Sequence, residues 1–340
     1  MAQTFPLIEV TGSHTDIGHA IGETFKTKIQ DVINQKRTII AEYDRVLSTI
    51  DTFISITKKA FPNLIHELQA VADAADVPFR ELFFRNIGAL TDPETAMSRE
   101  ESETVDHCTT IVSWESAGHP IVGHNEDWDI ASIDELYILK VKLPHVSFIS
   151  LNYATFLPGV SAGMNSHGII QCINEIPQTR INGIPKNFIA RAMLECKMLS
   201  ECERIALRTK HSSGYNHVLL QGNNGRDLEI GGRSVDIQSF DYLPYVHTNH
   251  YLSNHLKQYE IHTQSHQENS HARYERVKEL LRLPMDFSDI QAILSDHTNE
   301  KYPICRHKET IASVIIEPSE NLFHVCYGLP CTGTYVPYRL

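Results

Sequence analysis

Apolar residues in the N-terminal part of the chain recur at helical spacing after one short strand-like segment at residues 5–10. Ser13, Thr15 and Asp16 each offer a side chain that can cap the first helix. The helical stretches predicted from this pattern cover residues 13–47, 62–76 and 78–90. The first ninety residues are therefore predicted to be mainly α.

The pattern changes to β at Cys108, where short apolar or alternating runs are separated by Gly, Pro and Asn. The predicted strands cover residues 108–115, 120–125, 136–143, 146–153, 159–165, 168–174, 216–222, 227–232, 309–318 and 322–328. Helices are predicted at residues 187–197, 200–210, 273–283 and 287–297. Ser288 and Gln291 have the spacing of a capping box for the last of these helices. This order of elements predicts an α+β protein with two sheets flanked by helix layers.

An acidic segment at residues 92–106 separates the two patterns and contains almost nothing that can enter a core. We interpret it as an exposed linker. The chain is therefore predicted to consist of an α-rich segment, residues 1–107, and a sheet-rich domain, residues 108–340.

Composition excludes several classes of protein. The formal net charge of −12 argues against a surface that coats nucleic acid, since phosphate binding needs clustered Lys and Arg. The sequence has neither an apolar run of membrane-spanning length nor the charged and apolar regions of a secretory signal, so no membrane association and a cytoplasmic location are expected. Seven cysteines without a C-x-x-C pair predict neither a disulfide framework nor a zinc ribbon.

The chemistry is expected at the boundary, where a cysteine begins the sheet-rich domain. The sequence resembles the isopenicillin-N acyltransferase family, or peptidase C45 family, of the N-terminal-nucleophile hydrolase superfamily. The motifs that carry the resemblance are Cys108-Thr109-Thr110, Gly123-His124-Asn125-Glu126-Asp127, Gly163-Met164-Asn165-Ser166-His167-Gly168, His247-Thr248-Asn249-His250 and Tyr302-Pro303-Ile304-Cys305-Arg306. The resemblance implies a four-layer αββα fold, an α-rich pro-segment and a zymogen that cleaves itself.

In this class the thiol of Cys108 attacks the carbonyl of the peptide bond between His107 and Cys108, and water hydrolyses the resulting thioester. The new α-amine, with a reference pKa of about 7.7–8.0, then serves as general base for its own thiol. The predicted activity is hydrolysis or transfer of the acyl group of an N-acyl amide through a thioester on Cys108. The expected partners are a small N-acyl amide or acyl-thioester substrate and, for each cleaved fragment, the other fragment; no cofactor and no metal are expected.

The resemblance assigns Asp127 to the amine of the new terminus or of the substrate, with Glu126 and Asp129 as alternatives in a shifted register. Asn249 is the predicted oxyanion donor, because a neutral amide can donate without ionising. Further candidates near the substrate or oxyanion are Asn165, which a tight turn explains equally well, Trp128, which an acyl pocket or ordinary packing explains, and Thr110.

Two positions depart from the family pattern. His107 stands where family members often have glycine before the nucleophile. The segment His307-Lys308-Glu309-Thr310 lacks the arginine that fungal members use for the substrate carboxylate. An N-acyl amide other than a penicillin nucleus is therefore the expected substrate.

Two other functions remain open at the level of sequence. The first hypothesis is a metal-dependent hydrolase that uses the histidine-rich region 247–271, although no H-E-x-x-H motif is present. The histidines of this region are at positions 247, 250, 255, 262, 266 and 271. The second alternative is an uncleaved, non-catalytic relative that binds ligands in the same cleft.

Overall fold

The computed structural model describes residues 3–39, 47, 50–87, 108–176, 182–261 and 263–340. The helices found in these ranges are α1 (His14–Thr24), α2 (Lys26–Ile39), α3 (Asp51–Ala60), α4 (Pro62–Ala75), α5 (Phe79–Ile87), α6 (Lys186–Met193), α7 (Leu199–Arg208), α8 (Gln264–Leu280) and α9 (Phe287–Leu294). The predicted acidic linker at 92–106 and the residue before the nucleophile, His107, lie outside the described residues.

The strands form two sheets. The strands are β1 (Leu7–Thr11), β2 (Thr109–Trp114), β3 (Pro120–Asp127), β4 (Leu136–Lys142), β5 (Ser147–Tyr153), β6 (Ala162–Asn165), β7 (Ile169–Glu175), β8 (Tyr215–Gln221), β9 (Asn224–Gly231), β10 (Ser234–Ser239), β11 (Tyr245–His247), β12 (Thr310–Glu317), β13 (Leu322–Tyr327) and β14 (Tyr335–Arg339). The eight-stranded sheet has the order β1-β4-β5-β6-β7-β8-β9-β10, and the six-stranded sheet has the order β11-β2-β3-β12-β13-β14. The predicted mixture of helices and sheets is therefore confirmed.

Alternation along the strands decides which side chains meet. Met164 of β6 and Cys172 of β7 pack in an apolar cluster together with Val112 and Val314 of the six-stranded sheet, so these faces of the two sheets lie against each other. A second cluster lies between the eight-stranded sheet and helices α1 to α7, and a third between the six-stranded sheet and helices α8 and α9. The inter-sheet faces that meet in the first cluster also carry the polar site described below.

The N-terminal segment is integrated into this architecture. Strand β1 extends the eight-stranded sheet by pairing in parallel with β4, from Leu7 beside Ile138 to Thr11 beside Lys142. Helix α1 packs closely on α4, because Gly18 and Gly22 leave no side chain between the two backbones.

Several sequence predictions of element ends were wrong. The long first helix ends at Thr24 and a new one starts at Lys26, and Ser13 is the residue that caps α1, with its hydroxyl accepting from the Asp16 N–H. The predicted capping box of Ser288 and Gln291 was also wrong, since Asp286 and Asp289 form it.

Helix α8 begins at Gln264, behind the N-cap Thr263, nine residues before the start predicted from the sequence. The prediction missed these residues because the first turns of the helix are polar and lack an apolar stripe. The closing hairpin of β12 and β13 is confirmed. Among the described residues, no helix is both long and apolar enough to cross a membrane.

Candidate active site

Cys108 lies directly before β2, a strand flanked by β11 and β3 in the six-stranded sheet. Its side chain is buried, with 4% of its surface exposed. Its sulfur and the donor atoms of His124 and Glu126 on β3 all lie within 4.8 Å of one another. A thiol is thus placed beside an acid–base pair at the start of a central strand.

The pair of His124 and Glu126 is part of a hydrogen-bonded row between the sheets. Nε2 of His124 lies 3.1 Å from Oε2 of Glu126, and the hydroxyl of Tyr153 on β5 donates to the other carboxylate oxygen at 2.7 Å. The Thr110 hydroxyl lies 2.9 Å from Nδ1 of His124 and donates to Oδ1 of Asn174 on β7, also at 2.9 Å. Thr110 lies two residues after Cys108, so its side chain lies on the same face of β2.

Arg273 of α8 joins the nucleophile to the predicted oxyanion residue. Its fully buried guanidinium donates to the Cys108 carbonyl at 2.8 Å, to the Thr109 hydroxyl at 2.7 Å and to Oδ1 of Asn249 at 2.8 Å. Burial lowers the pKa of Arg273 to about 10, against the opposing effect of the Asp127 charge. Sequence reasoning missed Arg273. The available signal was its position three residues after buried Ser270 and four residues before buried Val277, on the core-facing side of α8.

Asn249 is buried two residues after the end of β11. Its Oδ1 accepts from Arg273, and Nδ2 donates one hydrogen to the Glu175 carbonyl at 3.0 Å. A primary amide has two N–H donors, so the second hydrogen of Nδ2 is available to a reacting group. The contact with Arg273 also withdraws charge from the amide oxygen and makes the N–H a better donor.

Asp127 ends β3 with its side chain on the face of the six-stranded sheet that meets the helices. Oδ1 accepts from the Thr310 hydroxyl at 2.5 Å, and the buried Oδ2 has no hydrogen-bond partner among the described residues. Burial raises the pKa of Asp127 to about 6, although the charges of Arg306 and Arg273 oppose the shift. A buried carboxylate oxygen without a donor is suited to receive an ammonium group.

The three residues next to Asp127 in this segment, Glu126, Trp128 and Asp129, make different contacts. Glu126 faces the space between the sheets, as its bond to Tyr153 requires. Asp129 caps a short 3₁₀ helix by accepting from the Ala131 N–H at 3.0 Å. Trp128 packs against the inter-sheet cluster while its backbone N–H donates to the Glu309 carbonyl. Of these carboxylates, Glu126 has an oxygen within 4.8 Å of the Cys108 sulfur, whereas Asp127 has the buried oxygen without a hydrogen-bond partner in the described part of the chain.

The structure does not bring Asn165 to this site. Its Nδ2 donates to the carbonyls of Leu194 and Cys196, and its Oδ1 accepts from the backbone N–H groups of His167 and Ile169. Met164 faces the other sheet, so Asn165 points to the opposite side, toward the helices. The prediction that Asn165 is an oxyanion donor is therefore wrong. Asn165 is instead a turn residue, the alternative explanation given for it above.

A second polar group lies along the same inter-sheet space. His247 is the register partner of Thr110, and its Nε2 lies 2.9 Å from Oε1 of Glu229 on β9. Asp227, also on β9, has a donor atom within 4.8 Å of those of Glu229 and His247. Burial raises the pKa of Asp227 to about 7. A cavity of about 50 Å³ lies against Asp227 and Glu229.

The described histidines of the region 247–271 do not assemble into one metal centre. His250 stacks on His271 with ring centroids 3.8 Å apart, and His266 is buried in α8. His262 lies outside the described residues. Of the described histidines in this region, only His247 meets two further metal-ligating side chains.

Fold and site together define an α+β protein with a buried thiol at the head of a central strand. Residues 114–331 match the family model of acyl-coenzyme A:6-aminopenicillanic acid acyl-transferase, and the chain belongs to this family. The matched part begins six residues after Cys108.

Individual relatives are more distant. A β-alanyl-dopamine/carcinine hydrolase of Drosophila melanogaster is 24% identical over an alignment of 222 residues, and the match covers 60% of this chain and 57% of the relative. Two variant structures of a conjugated bile acid hydrolase from Clostridium perfringens are each 11% identical, with TM-scores of 0.44 and 0.42. Each match covers 68% of this chain and 97% of the bile acid hydrolase.

Proposed function

We propose that the chain is a self-processing cysteine amidohydrolase or acyltransferase whose nucleophile is Cys108. The observation that carries the proposal is the position of this buried thiol within 4.8 Å of donor atoms of His124 and Glu126, with Arg273 linking the Cys108 carbonyl to Asn249. In processing, the sulfur attacks the carbonyl of His107, the carbonyl–nitrogen bond breaks, and the nitrogen of Cys108 takes a proton and leaves as an amine. Water then hydrolyses the thioester and leaves a carboxylate on residue 107. Residues 1–107 would be the pro-segment and residues 108–340 the catalytic part.

The two stages need different bases. Before cleavage the nitrogen of Cys108 is an amide and cannot accept the thiol proton. The His124–Glu126 pair lies within reach of the sulfur and supplies an acceptor for this stage. After cleavage the α-amine takes over, and ionised Asp127 holds it through a charge-assisted hydrogen bond.

Each tetrahedral intermediate carries an oxyanion. The remaining Nδ2 hydrogen of Asn249, oriented by Arg273 and by the Glu175 carbonyl, is the proposed donor. The donor needs no movement at the moment of reaction, because both of its neighbours are fixed.

Processing is tested by the intact mass and N-terminal sequence of the purified protein. We expect two associated fragments, the second starting at Cys108, and only the full-length chain for Cys108→Ala. Cys196→Ser, a buried thiol on the helix side of the eight-stranded sheet, is the matched control and should still be cleaved. Wild-type protein that stays intact and yet hydrolyses amides would refute the mechanism. An intact chain that is also inactive would favour the non-catalytic alternative.

The substrate is proposed to carry a positive charge in its acyl group. Glu126 lies beside the nucleophile, and Asp227 and Glu229 add two buried carboxylates in the neighbouring polar group around His247. The name of the Drosophila relative indicates β-alanyl amides, whose acyl group ends in an ammonium. Buried carboxylates would favour such a group over a neutral one of the same shape.

The butyryl group is the neutral isostere of β-alanyl, so the two amides of one amine form a matched pair of substrates. We expect the β-alanyl amide to have a kcat/KM at least tenfold higher, and Glu229→Gln to reduce that ratio. Equal kcat/KM for the two amides would overturn the proposed substrate class and leave the processing mechanism untouched.

A further inference from the structure

A group of histidines and cysteines lies where the segment between α9 and β12 meets the turn between β13 and β14. The donor atoms of His297, His307 and Cys331 all lie within 4.8 Å of one another. The sulfur of Cys305 lies 3.3 Å from that of Cys331. Both histidines are exposed, whereas Cys305 is buried, so the group opens to solvent on one side only.

The backbone holds these side chains in place through its own hydrogen bonds. The Asp296 carbonyl accepts from the N–H groups of Ile304 and Cys305 at 3.0 and 2.9 Å, which folds the loop back on itself. Arg276 of α8 anchors the Asp296 carboxylate with contacts of 3.2 and 2.9 Å. In the opposite turn, the Gly333 N–H donates to the Leu329 carbonyl at 2.8 Å. The four side chains thus project from two anchored segments.

The hydrogen bond of His297 favours a metal-binding tautomer. Its Nδ1 lies 3.0 Å from the Ser295 carbonyl, which can only accept, so Nδ1 carries the hydrogen and Nε2 keeps its lone pair. Metal-ligating histidines typically donate their other ring N–H in this way. The rings of His297 and His307 are nearly perpendicular, at 83°, with centroids 5.8 Å apart.

We propose that His297, Cys305, His307 and Cys331 bind one Zn²⁺ ion or a similar borderline divalent transition metal. Two sulfurs and two nitrogens are the donor set of tetrahedral zinc sites. With Zn–S bonds of about 2.3 Å, two sulfurs of a tetrahedral site lie about 3.8 Å apart, close to the separation found here. On binding, both S–H bonds break, the two protons go to solvent, two metal–sulfur bonds form, and nothing is oxidised or reduced.

The proposed site is structural in kind and does not rest on the proposed enzymatic function. Four protein ligands leave no open position for a substrate. The ion would fix the segment that continues from Cys305 to Thr310, whose hydroxyl donates to Asp127. The sequence alone did not predict a metal, because the ligands are at separated positions and the two cysteines do not form a C-x-x-C pair.

The test uses the full chain, purified with a thiol-free reductant and freed of metal by a chelator. Co²⁺ is the probe, since thiolate ligation produces a sulfur-to-cobalt charge-transfer band and tetrahedral geometry produces intense visible bands. We expect one Co²⁺ per chain, displaced by Zn²⁺, and a higher melting temperature with Zn²⁺. Loss of groups that only orient a ligand weakens metal binding about 10–100-fold. Cys331→Ser and His307→Ala remove ligands and should therefore weaken binding by about 100-fold or more.

Two control variants locate the ion. Cys108→Ala removes the thiol of the other cysteine-containing cluster and should keep the cobalt spectrum, and Cys196→Ser should keep it as well. A spectrum lost in Cys108→Ala but kept in Cys331→Ser would place the metal at the nucleophile and overturn the proposal. Absence of a thiolate–cobalt band in reduced wild-type protein would also overturn it, as would a melting temperature that rises equally in Cys331→Ser. A Cys305–Cys331 disulfide that forms only after an oxidant is added is compatible with the proposal if the reduced protein binds Co²⁺.

Discussion

At the scale of single residues, the site depends on how a few amides and carboxylates are held. Asn249 and Asn165 are both buried asparagines, and both use their side-chain oxygen as an acceptor. They differ in what remains available: Asn165 donates both amide hydrogens to carbonyls, whereas Asn249 donates one. Only Asn249 can serve an oxyanion without giving up a structural bond.

Asn249→Ala should therefore lower kcat by about 10²–10³, or roughly 2.7–4 kcal/mol, with a small change in KM. The measurement requires residues 1–107 and 108–340 co-expressed as two chains in the same cells, because processing passes through an oxyanion of its own. Asn165→Ala is the matched control and should lower the melting temperature while kcat is retained. If pre-cut Asn249→Ala kept kcat within a factor of about three, Asn249 would be a structural residue.

Asp127 should give the stability of the protein a specific pH dependence. Its pKa of about 6 lies above the unfolded value of 3.8, so the folded state binds the proton more tightly. The free energy of unfolding should therefore fall as pH rises from 4 to 6. In a Cys108→Ala background, Asp127→Asn should gain stability relative to its parent by about 2 kcal/mol between pH 4 and pH 7. Urea denaturation at several pH values measures the difference, and a difference that stays constant would mean that Asp127 is not protonated in the folded state.

The sequence could single out Cys108 and Asp127 as candidates because their signals are local, at a strand start and in a short motif. It could not place Arg273, whose role depends on contacts with residues 24 and 165 positions away. The two asparagines also could not be separated by sequence, since both stand in short polar segments and only tertiary contacts distinguish them.

At the scale of elements, strands with a clear apolar alternation were predictable and short or exposed ones were not. Strand β10 is mostly solvent-accessible, β14 has intermediate exposure, and β11 is buried but has only three residues, so none shows a recognisable apolar alternation in the sequence. The break between α1 and α2 was missed because Phe25 is apolar and continues the helical pattern, although it caps α1.

The contact between α1 and α4 provides a test of element packing. A Cβ at Gly18 would lie 2.2 Å from the Glu67 carbonyl, and one at Gly22 would lie 2.5 Å from the Val71 carbonyl. Both obstacles are backbone atoms, so the helices must separate. Gly18→Ala and Gly22→Ala should each cost about 1–3 kcal/mol in free energy of unfolding.

Intrinsic helix propensity alone would favour alanine by about 1 kcal/mol, so the sign of the effect identifies its cause. His19→Ala, on the exposed side of the same helix, is the control and should not destabilise the protein. Stabilisation in Gly18→Ala, measured by urea denaturation, would show that the two helices are free to move apart.

At the scale of the whole molecule, the two predicted fragments are held by more than apolar packing. Glu67 of α4 is fully buried and accepts from Arg191 of α6 through two contacts of 2.8 Å. Its second oxygen also lies 2.7 Å from Nδ1 of His14. This ion pair joins residues on opposite sides of the proposed cleavage position.

Glu67→Gln should weaken the association of the processed fragments by about 1–3 kcal/mol, because it leaves buried Arg191 with Glu195 as its remaining carboxylate partner. Size-exclusion chromatography across a urea series measures the midpoint at which the fragments separate. Lys26→Met removes an exposed partner of Asp76 and should leave that midpoint nearly unchanged. Equal midpoints for Glu67→Gln and wild type would mean that the apolar cluster alone holds the fragments.

The parallel pairing of β1 with β4 also bears on the behaviour of the larger fragment without the smaller one. Strand β1 is the last strand on its side of the eight-stranded sheet, so its removal exposes the backbone donors and acceptors of β4 from Ile138 to Lys142. An apolar strand with an open edge is a template for intermolecular strand addition. Residues 1–107 would then act as a permanent intramolecular chaperone, and residues 108–340 produced alone should aggregate through β4 rather than remain monomeric.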